Sequence, residues 1–300
     1  MRILITGASG LIGSAMAKHL SADHKILTLG RRASADFQAD LSDPKAIAAL
    51  ELPAIDALVH CAGVVDEDFR EAPERAMHMA MFGADALAQK AVSAGATRLV
   101  YISSAHVYGP LMGHVDETTP YNPVSNYAIA HFVTEQVFRR QTRAGVAGAA
   151  LRPCAVFGNL VEPESFRRWS LIPFSFPRDA VVEKKIVIRS TGEQRRNFVG
   201  TKDIADCCQK WLESTPSGWT GINPLGALTA TVFEFAQICA EMSKTVTGTP
   251  CDITRVAPQA PTPGSDFDYN TVSPLSRGNQ SLRAVMETLM QNALDQQQGT

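Results

Sequence analysis

RILITGASGLIG, residues 2–13, decides the fold. The apolar run RILIT breaks at a glycine-rich turn, and the turn opens directly into LIGSAMAKHL, a helical stretch. Gly7 permits a tight turn, Gly10 lets backbone N–H groups approach a phosphate, and Gly13 lets the helix pack close to the strand. A glycine pattern alone is a weak signal; one set between a strand and a helix is the context that a dinucleotide pyrophosphate needs. Ser9, Leu11 and Ile12 supply the rest of that turn.

The same strand-then-helix rhythm continues outward. KILTL is followed by a loop, DALVHCAG by the helical EAPERAMHMAMFGADALAQKAVSAG, TRLVYISS by PVSNYAIAHFVTEQVFRRQTRAG, and GAALRPCAVFG closes the series. Strands that are apolar throughout are covered on both faces, so the alternation predicts an α/β fold, a doubly wound parallel sheet of the Rossmann type. From about residue 159 the rhythm loosens. Prolines at 163, 173 and 177, the apolar SLIPFSFPRDAVV and a hairpin-like EKKIVIRSTGEQRRNFV predict a smaller, irregular lobe over the carboxyl edge of the sheet, where open α/β sheets bind ligands. The expected division is a dinucleotide-binding domain over 1–158, rejoined by 196–226, and a substrate lobe over most of 159–300. A Pro-rich loop over 257–274 precedes a last helix from about Leu282.

Composition narrows the function class. With 45% hydrophobic and 19% charged residues the chain has the apolar material for a large core. A net charge of -2 gives no basic footprint, so the expected partner is a small-molecule substrate, with no nucleic acid and no membrane. The six cysteines include no CxxC pair, so they predict neither a disulfide framework nor a metal site, and reduced thiols point to the cytoplasm. RILIT enters a strand at once, which leaves no space for a signal-peptide core, and no apolar run reaches the ~18 residues of a membrane span.

The turn has the spacing GxxGxxG, in TGASGLIG, and further segments follow it in order. They are Asp40-Leu41-Ser42-Asp43, His60-Cys61-Ala62-Gly63 at the end of the fourth strand, YISSAHVYG over 101–109, RPCAVFG over 152–158, and GEQRRNFV over 192–199 with Asp203. Together they make the chain resemble the extended short-chain dehydrogenase/reductase family, which includes nucleotide-sugar epimerases, dehydratases and reductases. The resemblance covers most of the chain. It implies that Asp40, with Leu41 beside it, contacts adenine, that Cys61, Ala62 and Gly63 pass the cofactor, and that Pro153 does so ahead of the substrate lobe. It also implies a homodimer formed through helices 74–94 and 123–143.

Hydride transfer at a carbonyl needs a proton on oxygen as hydride reaches carbon. By the resemblance Tyr127 is the acid/base, and Ser104 hydrogen-bonds the substrate oxygen and the tyrosine. The family lysine that follows the tyrosine by four residues holds the ribose and lowers the tyrosine pKa. His131 stands at that place here, and no Lys lies between Lys90 and Lys184. Asn122-Pro123 reads as the helix start, which sets Tyr127 and His131 one turn apart on one face. A protonated imidazole would do both jobs of the lysine, whereas a neutral one would hold the ribose but do less for Tyr127. The alternative is a structural histidine.

An NAD enzyme of this fold usually ends its second strand in an acid that binds the ribose hydroxyls, but KILTL is followed by Gly30-Arg31-Arg32. Arginine's planar fork suits a 2′-phosphate, so Arg31 and Arg32 point to NADP, with NAD as the alternative. Ala80 and Ala155 depart from positions where the family often has Asn, and Ser104-Ala105-His106 replaces the Thr-Asp-Glu of sugar dehydratases, which argues against water elimination. His106 is either an added acid/base group or hydrogen-bonded scaffolding; Arg152 and Arg196 either bind a substrate phosphate or are structural charges. The leading reading is an NADP-dependent oxidoreductase that reduces or epimerises a keto or hydroxyl centre on a nucleotide-linked sugar. Its rivals are a non-catalytic NADP(H) sensor and a reductase of a small carbonyl compound.

Overall fold

Ile3 and Ile5 of the first strand point into one apolar layer and Leu4 into the other, so the strand is buried on both faces. That is the local form of the whole architecture. In a computed structural model, which describes residues 1–143, 145–257 and 262–298, the chain opens with β1 (Arg2–Thr6), α1 (Leu11–Leu20), β2 (Lys25–Gly30), β3 (Phe37–Gln38), α2 (Pro44–Ala48) and β4 (Ala57–His60). It continues with α3 (Asp66–Glu71), α4 (Pro73–His78), a π-helical segment Met79–Gly83, α5 (Ala84–Ser93), β5 (Arg98–Ile102), β6 (His114–Val115), α6 (Asn126–Arg140) and β7 (Ala147–Leu151). Then come β8 (Ala155–Phe157), α7 (Ile172–Val182), β9 (Lys185–Ile188), β10 (Arg195–Gly200), α8 (Thr201–Glu213) and β11 (Trp219–Ile222). The last elements are β12 (Leu228–Thr231), α9 (Val232–Thr247), β13 (Asp252–Arg255), β14 (Asp268–Tyr269) and α10 (Leu282–Gln298).

Seven parallel strands form the main sheet in the order β11-β7-β5-β4-β1-β2-β3, the doubly wound arrangement that the alternating sequence predicts. Met16 and Leu20 of α1 and Trp211 and Leu212 of α8 cover one face; Ile47 of α2, Leu87 and Ala91 of α5 and Phe138 of α6 cover the other. Within the segment 196–226, α8 packs on α1 and β11 pairs with β7 at the edge of the main sheet, whereas β10 pairs with β12 and β8 and puts Phe198 in the second core. A second core, built on Phe174, Phe176, Phe198, Phe235 and Met286, holds the smaller lobe together. Among the described residues no helix is long and apolar enough to cross a membrane.

Three local expectations change. EKKIVIRSTGEQRRNFV is no hairpin: β9 pairs in parallel with β13, its Ile186 and Ile188 buried in the second core, while β10 pairs with β12 and β8. The helix carrying Tyr127 starts at Asn126, with the Ser125 hydroxyl accepting from Ala128 N–H, so Pro123 lies outside it. The helix read over 74–94 is broken by the π-helical Met79–Gly83, where a Cβ at Gly83 would lie 1.8 Å from the Leu41 carbonyl. Residues 258–261 of the Pro-rich loop lie outside the described residues.

Candidate active site

β1 lies between β2 and β4, and the chain leaves β1 toward β2 but returns on the other side as β4. The loops after β1 and β4 therefore part, and a crevice opens at the carboxyl end of the sheet. Gly7 turns there with φ of 70°, and a Cβ on it would lie 2.8 Å from Ala62 N. A Cβ on Gly13 would lie 2.0 Å from the Gly7 carbonyl, which no side chain survives. Gly10 N–H closes the turn on Gly7 O at 2.9 Å, and Gly10 caps α1 with no side-chain hydrogen bond. The first N–H groups of α1 are thus left to an outside anion, helped by the positive end of the helix dipole. This cradle fits the pyrophosphate of a dinucleotide in donor type and in space.

The crevice widens into a cleft of about 650 Å³. Gly7, Ser9, Gly10, Leu11, Ile12 and Gly13 line one end, with Cys61, Ala62, Gly63, Ser104, His106, Tyr127, Pro153 and Arg196 along the rest. Ser104 leaves β5 as the cap of a 3-10 turn, its Oγ accepting from His106 N–H at 3.3 Å. His106 sets its ring edge-on to Tyr127, and the surrounding protein, followed by the charges of Arg196 and Arg168, holds its pKa below the ordinary histidine value.

His131 is one turn beyond Tyr127, with ring centroids 4.4 Å apart, but it does not line the cleft. It is buried beneath Gly63, where a Cβ would lie 3.2 Å from its Cε1. Nδ1 is 2.6 Å from the Tyr101 hydroxyl, and Nε2 is buried with no partner of good hydrogen-bond geometry among the described residues. Burial, then the neighbouring His106, Arg168 and His60, which disfavour a further positive charge, push its pKa down to about 3, an effect that hydrogen bonding to the nearby Val64 backbone offsets only in part. Of the forms open to His131, burial favours the neutral imidazole over the protonated one.

Five other sequence candidates stand apart from the cleft. Arg152 is buried 2.8 Å from Glu135 Oε2, donates to the Tyr108 hydroxyl at 2.7 Å and also bonds Tyr121; Glu135 in turn accepts from Ser103 Oγ at 2.6 Å. Burial opposes its charge but Glu135 outweighs it, so Arg152 stays cationic as a structural member of the core and not as a substrate ligand. Asp40 turns its carboxylate to Ser42 N–H at 2.9 Å and to Arg75 at 2.6 Å, and Leu41 is buried beside it. The Arg31 side chain is exposed, and Arg32 pairs with Glu162. Glu162, unlike either arginine, lines the cleft.

The comparison with known families bears directly on this cleft. Residues 3–222 match the model of the NAD dependent epimerase/dehydratase family. The chain belongs to that family. Over 177 residues it is 30% identical to a dTDP-glucose 4,6-dehydratase of Mycobacterium tuberculosis, covering 52% of this chain and 53% of that protein. Over 143 residues it is 33% identical to a dTDP-4-dehydrorhamnose reductase of Mycolicibacterium smegmatis, covering 45% and 40%. The chain thus spans about half the length of these curated relatives. A UDP-glucose-4-epimerase of Stenotrophomonas maltophila, solved with NAD and formylated UDP-arabinopyranose, superposes over all of both chains with a TM-score of 0.80 at 20% identity, a likeness of fold.

Within this epimerase/dehydratase fold the smaller lobe contributes residues that carry no local sequence signal. Arg168 places its guanidinium 5.5 Å from the Tyr127 ring centroid and reaches Asp66 at 3.1 Å, while Arg167 joins Asp68 at 2.9 Å and Glu71 at 2.8 Å. The acid-rich DEDFRE of α3 and the pair Arg167-Arg168 are complementary charges about a hundred residues apart in the chain, so only the fold brings them together.

Proposed function

We propose that the protein is a nicotinamide-nucleotide-dependent oxidoreductase that reduces or epimerises a keto or hydroxyl centre of a nucleotide-linked sugar, with NADP as the preferred cofactor. The observation that supports this most is the sharing of one cleft: the glycine turn lies at one end, and Ser104 and Tyr127 at the other. Gly7, Gly10 and Gly13 with the open start of α1 would hold the pyrophosphate, and Gly63 would pass the ribose. The bound nucleotide supplies the hydride or accepts it. Tyr127 moves the proton at the substrate oxygen, and Ser104 hydrogen-bonds that oxygen and orients it. Arg196 lines the cleft, donates only to its neighbour's carbonyl at 2.6 Å and has no carboxylate partner among the described residues, so its charge is left for a substrate phosphate.

NADP is favoured by Arg31 and Arg32 after β2, where an acid would serve NAD. A second copy of the chain fits the exposed Met81, Phe82 and Ile129, which leave apolar surface on the π-helical segment and α6.

The test is NADPH oxidation across a panel of nucleotide-linked 4-keto sugars. Turnover with at least one is expected, falling about 10²- to 10⁴-fold in Tyr127→Phe. Tight nucleotide binding with no turnover on any sugar would favour the second reading, a nucleotide-binding regulator, to which the neutral, buried His131 gives specific support.

A further inference from the structure

We infer that Tyr101 is a positioning residue: it fixes the tautomer of His131 so that Nε2 carries the proton and donates to the nucleotide ribose nearest Tyr127. The inference rests on the dinucleotide reading above. Tyr101 and His131 are both buried, with hydroxyl oxygen and Nδ1 2.6 Å apart. A hydroxyl in so dry a place keeps its proton and must donate it to an acceptor. Burial pushes the Tyr101 ionisation well above the ordinary tyrosine range, so the proton stays on that oxygen at any working pH. The nearest alternative is Thr134, whose own hydroxyl donates to the carbonyls of Ala80 at 2.8 Å or Ala130 at 3.0 Å. The Thr134 oxygen keeps acceptor lone pairs, but the contact of hydrogen-bond geometry that the Tyr101 hydroxyl makes among the described residues is with Nδ1 of His131 at 2.6 Å, so Nδ1 is the acceptor.

A neutral imidazole carries one N–H, so an acceptor at Nδ1 means a donor at Nε2. That donor is buried; the Val64 backbone lies near enough to raise the His131 pKa a little, but among the described residues no bond of good hydrogen-bond geometry closes on Nε2. Its position points to its partner: a Cβ at Gly63 would lie 3.9 Å from Nε2, and Gly63 lines the cleft. A ribose hydroxyl resting on Gly63 would supply Nε2 with a well-aligned acceptor. The glycine is needed there because any side chain would stand between ring and sugar. His60 braces the arrangement from behind, stacked on Tyr101 with centroids 5.4 Å apart and tied through Nδ1 to the Thr6 hydroxyl at 2.6 Å.

The tautomer is measurable without any ligand. In full-length protein labelled with ¹⁵N-histidine, long-range ¹H–¹⁵N correlation should place the His131 proton on Nε2, the signal being assigned by its loss in His131→Gln. Tyr101→Phe should release the ring to a mixture of tautomers and weaken NADPH and NAD binding about fivefold, the worth of one hydrogen bond. ADP, which lacks the second ribose, should bind the variant and the wild type alike. A proton on Nδ1 in the wild type would overturn the inference even if Tyr101→Phe could not be purified, and so would an equal loss for ADP and the dinucleotides. Failure of the wild type to bind any nicotinamide nucleotide would remove the dinucleotide reading and this one together, whereas binding with the wrong tautomer removes this one alone.

Discussion

The two ends of the cleft are built from different material. At the glycine turn, backbone does the work: Gly7, Gly10 and Gly13 leave room and N–H groups, and no neighbouring side chain needs to be tuned. At the Tyr127 end the groups come from the turn after β5, from α6 and from the smaller lobe, and each depends on a partner behind it. Tyr101 stands behind His131, and Glu135 ties Ser103, next to Ser104, to Arg152. A backbone site fails when an atom is added, whereas a side-chain site fails when a partner is taken away. Perturbing each end separately tests that distinction.

The largest effect belongs to the second kind. Arg152→Met leaves Glu135 fully buried with its counter-charge gone, which should cost about 3–5 kcal/mol in chemical denaturation. The double variant with Glu135→Leu should recover much of that loss, because the unpaired charge goes too. A loss below ~1 kcal/mol in Arg152→Met would mean that the ion pair does not hold this end together.

Acid attacks the same end. His60 and His131 have pKa values pushed down to about 3 by burial, against 6.5 for an ordinary histidine. Below 6.5 the unfolded chain binds protons that the folded chain refuses, so their contribution is fully present above pH 6.5 and is lost as pH falls toward 3. The two together should give a slope of up to about 2.7 kcal/mol per pH unit in that window. His131→Gln should remove about half of it; an unchanged slope would show that His131 does not sit neutral in the core. The glycine turn has no titrating group and should bind nucleotide across that range for as long as the fold survives.

Gly13→Ala breaks the other end. The added carbon would lie 2.0 Å from a carbonyl that cannot move without opening the Gly7 turn, so about 1–3 kcal/mol of stability and essentially all nucleotide binding should go. Folded Gly13→Ala protein that still binds NADPH with unchanged affinity would rule out the cradle.

The same contrast explains what could be read from the chain. The glycine turn, the parallel sheet and the place of Tyr127 on a helix follow from local pattern, since φ above zero, apolar strands and helical spacing each leave a mark in consecutive residues. Arg152 was legible as a charge near the site but not as a buried one, because Glu135, Tyr108 and Tyr121, which surround it, are 17, 44 and 31 residues away. His131 was legible as an unusual residue at its position; its neutrality comes from the depth of the pocket under Gly63 and from Tyr101, thirty residues earlier. Arg168 gave no signal, since its role depends on α3 meeting the smaller lobe.

The smallest effect on stability, and the finest probe of cofactor choice, lies outside both ends. Arg32 and Glu162 form an ion pair that is nearly half exposed on each side, so breaking it should change folding little. Its weight is in binding. If Arg32 is the group that meets a 2′-phosphate, Glu162 competes with that phosphate for the same guanidinium fork. Arg32→Ala should then lower NADPH affinity about tenfold and leave NAD nearly unchanged. Glu162→Gln should do the opposite, raising NADPH affinity by freeing the fork, and both shifts should shrink at high salt. If the two variants instead leave the NADPH-to-NAD ratio where it was, Arg32 serves only to tie β2 to the segment over the cleft, and the missing acid after β2 can no longer be taken as a mark of NADP.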